Sequence, residues 1–527
     1  MRPTPSASPR PWERPWLALA ALLALAAALR LPGLRYGLPF PLLSPDESSI
    51  VPRAWELAHG GGLDPGWYDY PSLLFSVLAP FQAFAETPSY GAARAVAAFL
   101  GIAGVAASWW LGRVAYGPLA GIVAGAVVAV ATVHVAYSHV AVTDVLLTTL
   151  VTISLALAVQ GKLEWAGAAA GLAASAKYPG VFLPLPLLAL GWRQWRRLVS
   201  GAAVAVVAFA LTSPFVIWHA GAAWEDISRV QLLAAEGWLG FEHDHPTPIA
   251  FLDRLWESLG PALALALAGL ALAVREFVFI QHKPSRSVPD SARTGRLFGA
   301  REALVLKQHK PVGARQPSAR PGWLRPGRNA LVLNEHKVSP QRADLALAVF
   351  ALGYFAYLLT LAAHFDRYVL PLVPVLAAFA GRVRPLAALT LVLLLVPLAW
   401  SIADVRELTR TDTRVVALAW IERNVPVRAR VAVESSTPAL GGRTALRLEL
   451  PGPGRPTDAD RDVDRLRALG IEYVLVTGAV ADRVLAASDR YPAEARFYSD
   501  LETDSRRVLR VAPGGEQAGP WVALYRL

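Results

Sequence analysis

Long apolar runs separated by short polar turns dominate this sequence. The first extends from Trp16 to about Leu31, and others follow at roughly 91–112, 118–137 and 141–159. Two short passes at 163–176 and 179–191 are hinged at Lys177-Tyr178-Pro179, and runs at 198–219, 256–274, 343–364, 366–381 and 385–402 complete the set. A helix needs about 20 apolar residues to cross a bilayer, so the pattern predicts a mainly α, polytopic helical membrane protein of about eleven spans. Residues 71–86 are apolar but short and interrupted by Pro80, which predicts a juxtamembrane or re-entrant helix. No small-residue cleavage site follows the first run, so it reads as an anchored helix rather than a signal peptide.

Beyond residue 404 the pattern changes. Short β-rich runs (Val431–Val433, Tyr473–Val476, Val508–Val511, Trp521–Tyr525) alternate with helical patterns near 412–423, 458–469 and 480–489. That alternation predicts a small α/β domain at 404–527, outside the membrane.

Charge assigns the sides. Of the eleven net positive charges, ten come from residues 275–342, which hold fourteen Lys/Arg against four Asp/Glu. Lys and Arg collect on the cytoplasmic side of membrane proteins, so this segment reads as a cytoplasmic insertion in a transmembrane domain at 15–402, and nucleic acid is not an expected partner. Arg113, the Arg193/Arg196/Arg197 cluster and Arg382/Arg384 fall on the same side. The tail 1–14 is then cytoplasmic, and the first outer loop (33–90) and the carboxyl-terminal domain lie outside, in the periplasm if this is a bacterial inner membrane. Within the insertion, FVFIQHKP at 277, LVLKQHKP at 304 and LVLNEHKV at 331 repeat every 27 residues. The copies are Pro- and Arg-rich and poor in core residues, so the repeat reads as disordered rather than as a solenoid.

Few ionisable groups interrupt the apolar pattern, and each admits two readings. Asp46 and Glu47 follow Ser44-Pro45 in a loop containing Trp55, Trp67, Tyr68 and Tyr70; they are a solvated turn or, if burial raises a carboxylate pKa, a general base. Asp144, in His139-Val140-Ala141-Val142-Thr143-Asp144, is a helix cap or a charge facing a cavity. Lys177 snorkels or pairs with a carboxylate or phosphate. Arg367 and Tyr368 are interfacial anchors or hold an anionic head group, which the planar guanidinium suits. Glu242, His243, Asp244 and His245 carry ligand-type side chains but fit no standard metal spacing, so no cofactor is assigned and any need for a divalent ion is open. GxxxxGK[ST], GxGxxG, HExxH and GxSxG are all absent, which argues against an ATP-driven pump, a dehydrogenase, a zinc protease and a serine hydrolase.

An amino-terminal span followed by Pro45-Asp46-Glu47 resembles the first-loop signature of GT-C glycosyltransferases, above all the protein O-mannosyltransferase and lipid A aminoarabinose transferase group (glycosyltransferase family 39-like). Tyr68-Asp69-Tyr70-Pro71-Ser72-Leu73 resembles that group's Tyr-x-Pro-Pro-Leu region. Ser138-His139 through Asp144 is similar to its second acidic site. Gly171-Leu172-Ala173 to Lys177-Tyr178-Pro179 and Arg367-Tyr368-Val369-Leu370-Pro371 are similar to its later-span motifs. Trp420 to Pro426 resembles the start of the outer domain in bacterial members. The chain departs from the group at Asp69 and Ser72, where a basic residue and a second proline are often found.

The resemblance implies an inverting transferase that moves a monosaccharide from a polyprenyl-phosphate donor to a glycan, lipid or protein acceptor. Asp46, Glu47 and Asp144 are then the expected catalytic carboxylates. Tyr70, His139, Lys177, Tyr178, His243, His245, Arg367 and Tyr368 are expected to contact substrate. The competing class is a lipid or glycolipid flippase, which favours repeated sets of spans and midplane charges in broken helices.

Overall fold

The computed structural model describes residues 15–281 and 339–527. The amino-terminal tail and most of the 27-residue repeat lie outside the described residues.

The bundle begins with α1 (Pro15–Arg30), α2 (Pro45–Ala58), α3 (Leu73–Gln82), α4 (Tyr90–Tyr116), α5 (Pro118–Val130), α6 (Thr132–Tyr137), α7 (Thr143–Val159) and α8 (Leu163–Ala176). It continues with α9 (Pro184–Gly191), α10 (Trp195–Thr212), α11 (Pro214–Trp218), α12 (Ala220–Glu236), α13 (Thr247–Leu259) and α14 (Ala262–Gln281), and resumes with α15 (Pro340–Leu358), α16 (Val373–Arg382), α17 (Ala387–Leu393) and α18 (Leu395–Glu407). Among the described residues three helical stretches, Tyr90–Tyr116, Tyr178–Thr212 and Arg384–Glu407, are long and apolar enough to cross a membrane unaided. Shorter apolar helices, α1, α3, α5 and α7 among them, supply further depth. Many of the expected crossings are therefore built from short or broken pieces. The run expected at 256–274 is one: α13 and α14 meet at 118°, because Gly260 takes φ +54° and Pro261 follows it.

The stretch Tyr178–Thr212 doubles back. Gly191 packs near Leu163 at the start of α8, while Gly167 and Gly171 of α8 meet the backbone of Gly201 and Ala205 in α10. At the far ends the Ser175 and Ser213 hydroxyls lie 2.6 Å apart. So α8 and α10 run parallel and α9 returns between them, as the hinge at Lys177–Pro179 predicts. A methyl at Gly167 or Gly171 would collide with the opposing carbonyl, so the close approach depends on the missing Cβ.

Helix starts explain where the acidic groups sit. Ser44 caps α2, its Oγ accepting from the Asp46 N–H at 3.3 Å, with Pro45 in the first turn. Asp46 and Glu47 thus occupy the first turn, where the helix dipole favours negative charge. At α7 the capping position is Val142 and no side chain caps the helix. The Asp144 carboxylate is left for another partner.

Residues Thr411–Arg526 carry the sheet. The strands are β1 (Thr411–Asp412), β2 (Val431–Val433), β3 (Ala445–Arg447), β4 (Tyr473–Thr477), β5 (Arg506–Val511), β6 (Gln517–Ala518) and β7 (Val522–Arg526). The main sheet runs β3-β2-β4-β7-β5, parallel across β3, β2 and β4 and antiparallel at β7 and β5, while β1 pairs with β6. Successive residues of β4 face opposite sides, as strand geometry requires. Val474 and Val476 pack with Leu466, Val480 and Phe497, and Tyr473 and Leu475 with Ala417, Leu418 and Ile421. Helices therefore cover both faces. This unit rests on the first loop, where Gly33 meets Leu408 and Gly37 lies beside Asp412.

Candidate active site at the loop end of the bundle

Two turns far apart in sequence deliver Asp46 and Asp144 to one cluster. Asp46 accepts from the Tyr70 hydroxyl at 3.0 Å and pairs with Arg367 at 2.5 Å. Asp144 pairs with Lys177 at 2.6 Å, and both side chains are almost fully buried. The Lys177 ammonium also stands 5.4 Å from the centre of the Tyr70 ring and 5.7 Å from that of Tyr368, so cation–π attraction fixes it between two aromatic faces. Lys177 reaches this position because α8 stops there: its backbone is extended, and Pro179 prevents the helix from continuing. Arg367 arrives on a short 3-10 turn, Asp366–Leu372. The Asp366 carboxylate accepts from the Arg367 N–H at 2.8 Å and from the Tyr137 hydroxyl at 2.7 Å.

The cluster holds two carboxylates and two cations, and two of its polar atoms have no partner. Asp144 Oδ2 and Arg367 Nε are buried and make no hydrogen bond. A buried polar atom without a partner costs free energy, so each is a ready contact for a ligand. Burial pushes the Asp46 carboxyl up, but Arg367, Lys177 and the Tyr70 hydroxyl outweigh it and hold it below the usual aspartate range. That corrects the expectation of a raised carboxylate. In the resting cluster Asp46 is ionised and occupied.

Several expected residues fall elsewhere. Glu47 is fully buried, with both oxygens on Arg94 at 2.8 and 2.7 Å and a further bond from the Ala141 N–H at 3.0 Å. Arg94 also donates to the Tyr36 carbonyl at 2.6 Å. Glu47 therefore clamps the first loop, α4 and the Asp144 turn together instead of facing the cluster. His139 has a carbonyl oxygen at each ring nitrogen, Val135 and Pro32, both at 2.9 Å, which leaves it no free polar atom. Tyr178 donates to the Tyr68 carbonyl at 2.8 Å. His243 pairs with Asp489 and His245 with Asp253, both on the surface. All four are thus bonded to other protein groups and stand apart from the cluster. Asp69, at a departure from the resembled group, pairs with Arg229 of α12 at 2.5 Å, so a basic group does stand there, supplied from another helix.

Arg94 and Tyr137 are not among the residues singled out from the sequence. Arg94 carries a signal, a lone cation one turn into an apolar helix; Tyr137 carries none. Among the described residues no group of three or more His, Cys, Asp or Glu side chains is placed to hold a metal ion.

The profile of Glycosyltransferase family 87 matches residues 67–288. No curated protein sequence matches the chain. The fold is similar to that of ArnT from Cupriavidus metallidurans in the apo state, with 15% identity, 97% of each chain covered and a TM-score of 0.53. Against the same protein bound to undecaprenyl phosphate the identity is 14%, the coverage 97% of this chain and 98% of that one, and the TM-score 0.51. The archaeal oligosaccharyltransferase AglB from Archaeoglobus fulgidus, in complex with an inhibitory peptide and a dolichol-phosphate, is 11% identical over 92% of this chain and 71% of its own, with a TM-score of 0.57. The multi-pass bundle with its sheet-bearing end has the fold of GT-C glycosyltransferases, and residues 67–288 match the model of Glycosyltransferase family 87.

Proposed function

We propose that this protein takes a monosaccharide from a polyprenyl-phosphate carrier and passes it, with inversion, to an acceptor hydroxyl at the Asp46 end of the bundle. One observation carries the reading: Asp46 and Asp144, from separate turns, share a buried cluster with Lys177 and Arg367. Two neighbours by fold were crystallised with undecaprenyl phosphate or studied with a dolichol-phosphate, which supports a lipid phosphate as ligand. A donor whose leaving group is already a phosphate needs a base and cations, not a nucleotide site.

The resting cluster suggests how donor and base are coupled. Its charges balance, so an entering phosphate must compete for a cation. Arg367 is the better candidate, because its Nε is unpartnered and its planar fork matches phosphate. When Arg367 turns to the phosphate, Asp46 loses its strongest partner while staying out of bulk water. Its carboxyl then rises toward the range useful for accepting a proton. Lys177 offsets the leaving phosphate, and the free Asp144 oxygen accepts from a sugar hydroxyl. Tyr70 and Tyr368 wall the cluster. Glu47 is a positioning residue in this scheme, and His139, Tyr178, His243 and His245 keep loops in place.

We place the reaction on the outer face of the bacterial inner membrane, with residues 15–402 as the catalytic membrane domain and 404–527 as a periplasmic cap. The test is Asp46→Asn. Transfer from a radiolabelled polyprenyl-phosphate sugar should fall by about 10²–10⁴-fold, while undecaprenyl phosphate still binds. Full transfer by the variant would remove the base assigned here. Lipid movement across vesicles without any transfer would favour a flippase.

A further inference from the structure

Next to the cluster lies a cavity of about 480 Å³, with Asp366, the chain neighbour of Arg367, in its wall. The other walls are the indoles of Trp256 and Trp400, the carboxylates of Glu257 and Asp404, and the small side chains of α6. Both indoles keep much of their surface open, 47% for Trp256 and 38% for Trp400. Of the three carboxylates, Glu257 is paired by Arg254, and Asp366 is engaged by the Tyr137 hydroxyl.

The lining decides what fits. An anion would meet three carboxylates at close range, so this is not where a donor phosphate sits. An acyl chain gains nothing from the exposed Glu257 and Asp404 carboxylates and would strip water from them. A sugar ring satisfies both parts of the wall, because its C–H face stacks on flat aromatic groups and its hydroxyls donate to carboxylates. The volume lies within the usual range for a small-molecule site. The cavity is also one residue from Arg367, whose guanidinium holds Asp46.

Resting on the transferase reading above, we propose that this cavity is the acceptor subsite and that the acceptor is a glycoside, uncharged or amino-substituted, rather than a peptide or a phosphate. Donor and acceptor then approach Asp46 from opposite sides of the 365–368 turn, the donor by way of the cations and the acceptor by way of the carboxylates. Asp366 is a positioning residue between them.

The test uses the full chain in lipid nanodiscs and saturation-transfer NMR. Probes are the methyl glycosides of glucose, mannose, galactose and glucosamine, with methyl phosphate and a capped Ala-Thr-Ala peptide for comparison. At least one glycoside should receive saturation, reduced to about a tenth by Trp400→Ala, the loss expected for one stacked ring, and largely retained by Trp400→Phe. Asp404→Asn should weaken it too, with undecaprenyl phosphate binding by native mass spectrometry unchanged in all three variants. The proposal is overturned if no glycoside binds, if methyl phosphate or the peptide binds better, or if Trp400→Ala and Trp256→Ala both leave glycoside binding intact. Should these failures occur while Asp46-dependent transfer persists, only the acceptor assignment falls. Loss of undecaprenyl phosphate binding by the wild type would instead remove the transferase reading itself.

Discussion

Asp46 and Glu47 are adjacent in sequence and meet opposite surroundings. Successive residues in a helical first turn point about 100° apart, so one faces the cluster and the other the packed interior. Glu47→Gln leaves Arg94 buried beside a neutral amide, and breaking a buried pair costs about 3–5 kcal/mol. Thermal unfolding in detergent should show that loss, whereas Asp46→Asn should disturb activity far more than melting. An unchanged melt for Glu47→Gln would mean the clamp is unimportant. The low carboxyl pKa of Asp46 has a sign that can be followed. A carboxyl depressed on folding contributes stability above its unfolded value, near 3.9, and loses it as pH falls through the lower folded value. Asp46 should therefore give kcat/KM no acid limb between pH 5 and 8. In the donor complex, with Arg367 turned away, the limb in kcat should move to higher pH. Coincident limbs would contradict the exchange of Arg367 between carboxylate and phosphate. At this scale the sequence discloses Asp46, Asp144, Lys177 and Arg367, because ionisable groups are sparse there: the last three stand at the ends of apolar runs, and Asp46 in the loop after the first. It discloses less about His243 and His245. Closely spaced ligand-type side chains look alike whether they face a site or a surface partner, and the partner of His243, Asp489, is 246 residues away.

Among the elements, the parallel pair α8 and α10 fixes where Lys177 stands. Their contact is backbone against backbone at Gly167–Gly201 and Gly171–Ala205, an arrangement favoured in membranes, where small residues let helices approach. Gly171→Leu should separate the pair and lower stability by about 1–3 kcal/mol, with transfer falling further as Lys177 moves away from Asp144. Retained transfer and an unshifted melt would show that the helices can re-pack without cost to the site. Apolar runs are easy to read as helices, and the turn at Lys177 is easy to place from Pro179. Which helices then touch is harder, because a small-residue stripe names no partner. The kink between α13 and α14 is visible in Gly260-Pro261, but no local pattern gives its 118° angle.

Across the whole molecule, residues 237–245 strap the sheet-bearing unit to the bundle. Glu242 accepts from the Tyr491 hydroxyl at 2.6 Å, and the Leu239 carbonyl accepts from Arg483. On the bundle side Asp244 lies between Arg254 and His364. Tyr491→Phe removes one anchor, worth about 1 kcal/mol, and should speed limited proteolysis within the strap while the melt of the bundle stays put. Equal cleavage rates would show that the other contacts suffice. The architecture of this half is legible from alternating strands and helices, but its seating on the first loop is not, since no local pattern encodes a contact between Gly37 and Asp412.

The bond between Arg367 and Asp46 has a kinetic consequence. While it lasts, Asp46 itself is occupied, and under the proposed exchange of Arg367 onto a carrier phosphate it is released only once a carrier is bound. On that proposal the carrier binds first and unlocks its own reaction, which makes the sequence of substrate addition compulsory. Spent carrier, still bearing its phosphate, should then linger as a competitive product inhibitor, and its departure rather than bond making would set the pace of turnover.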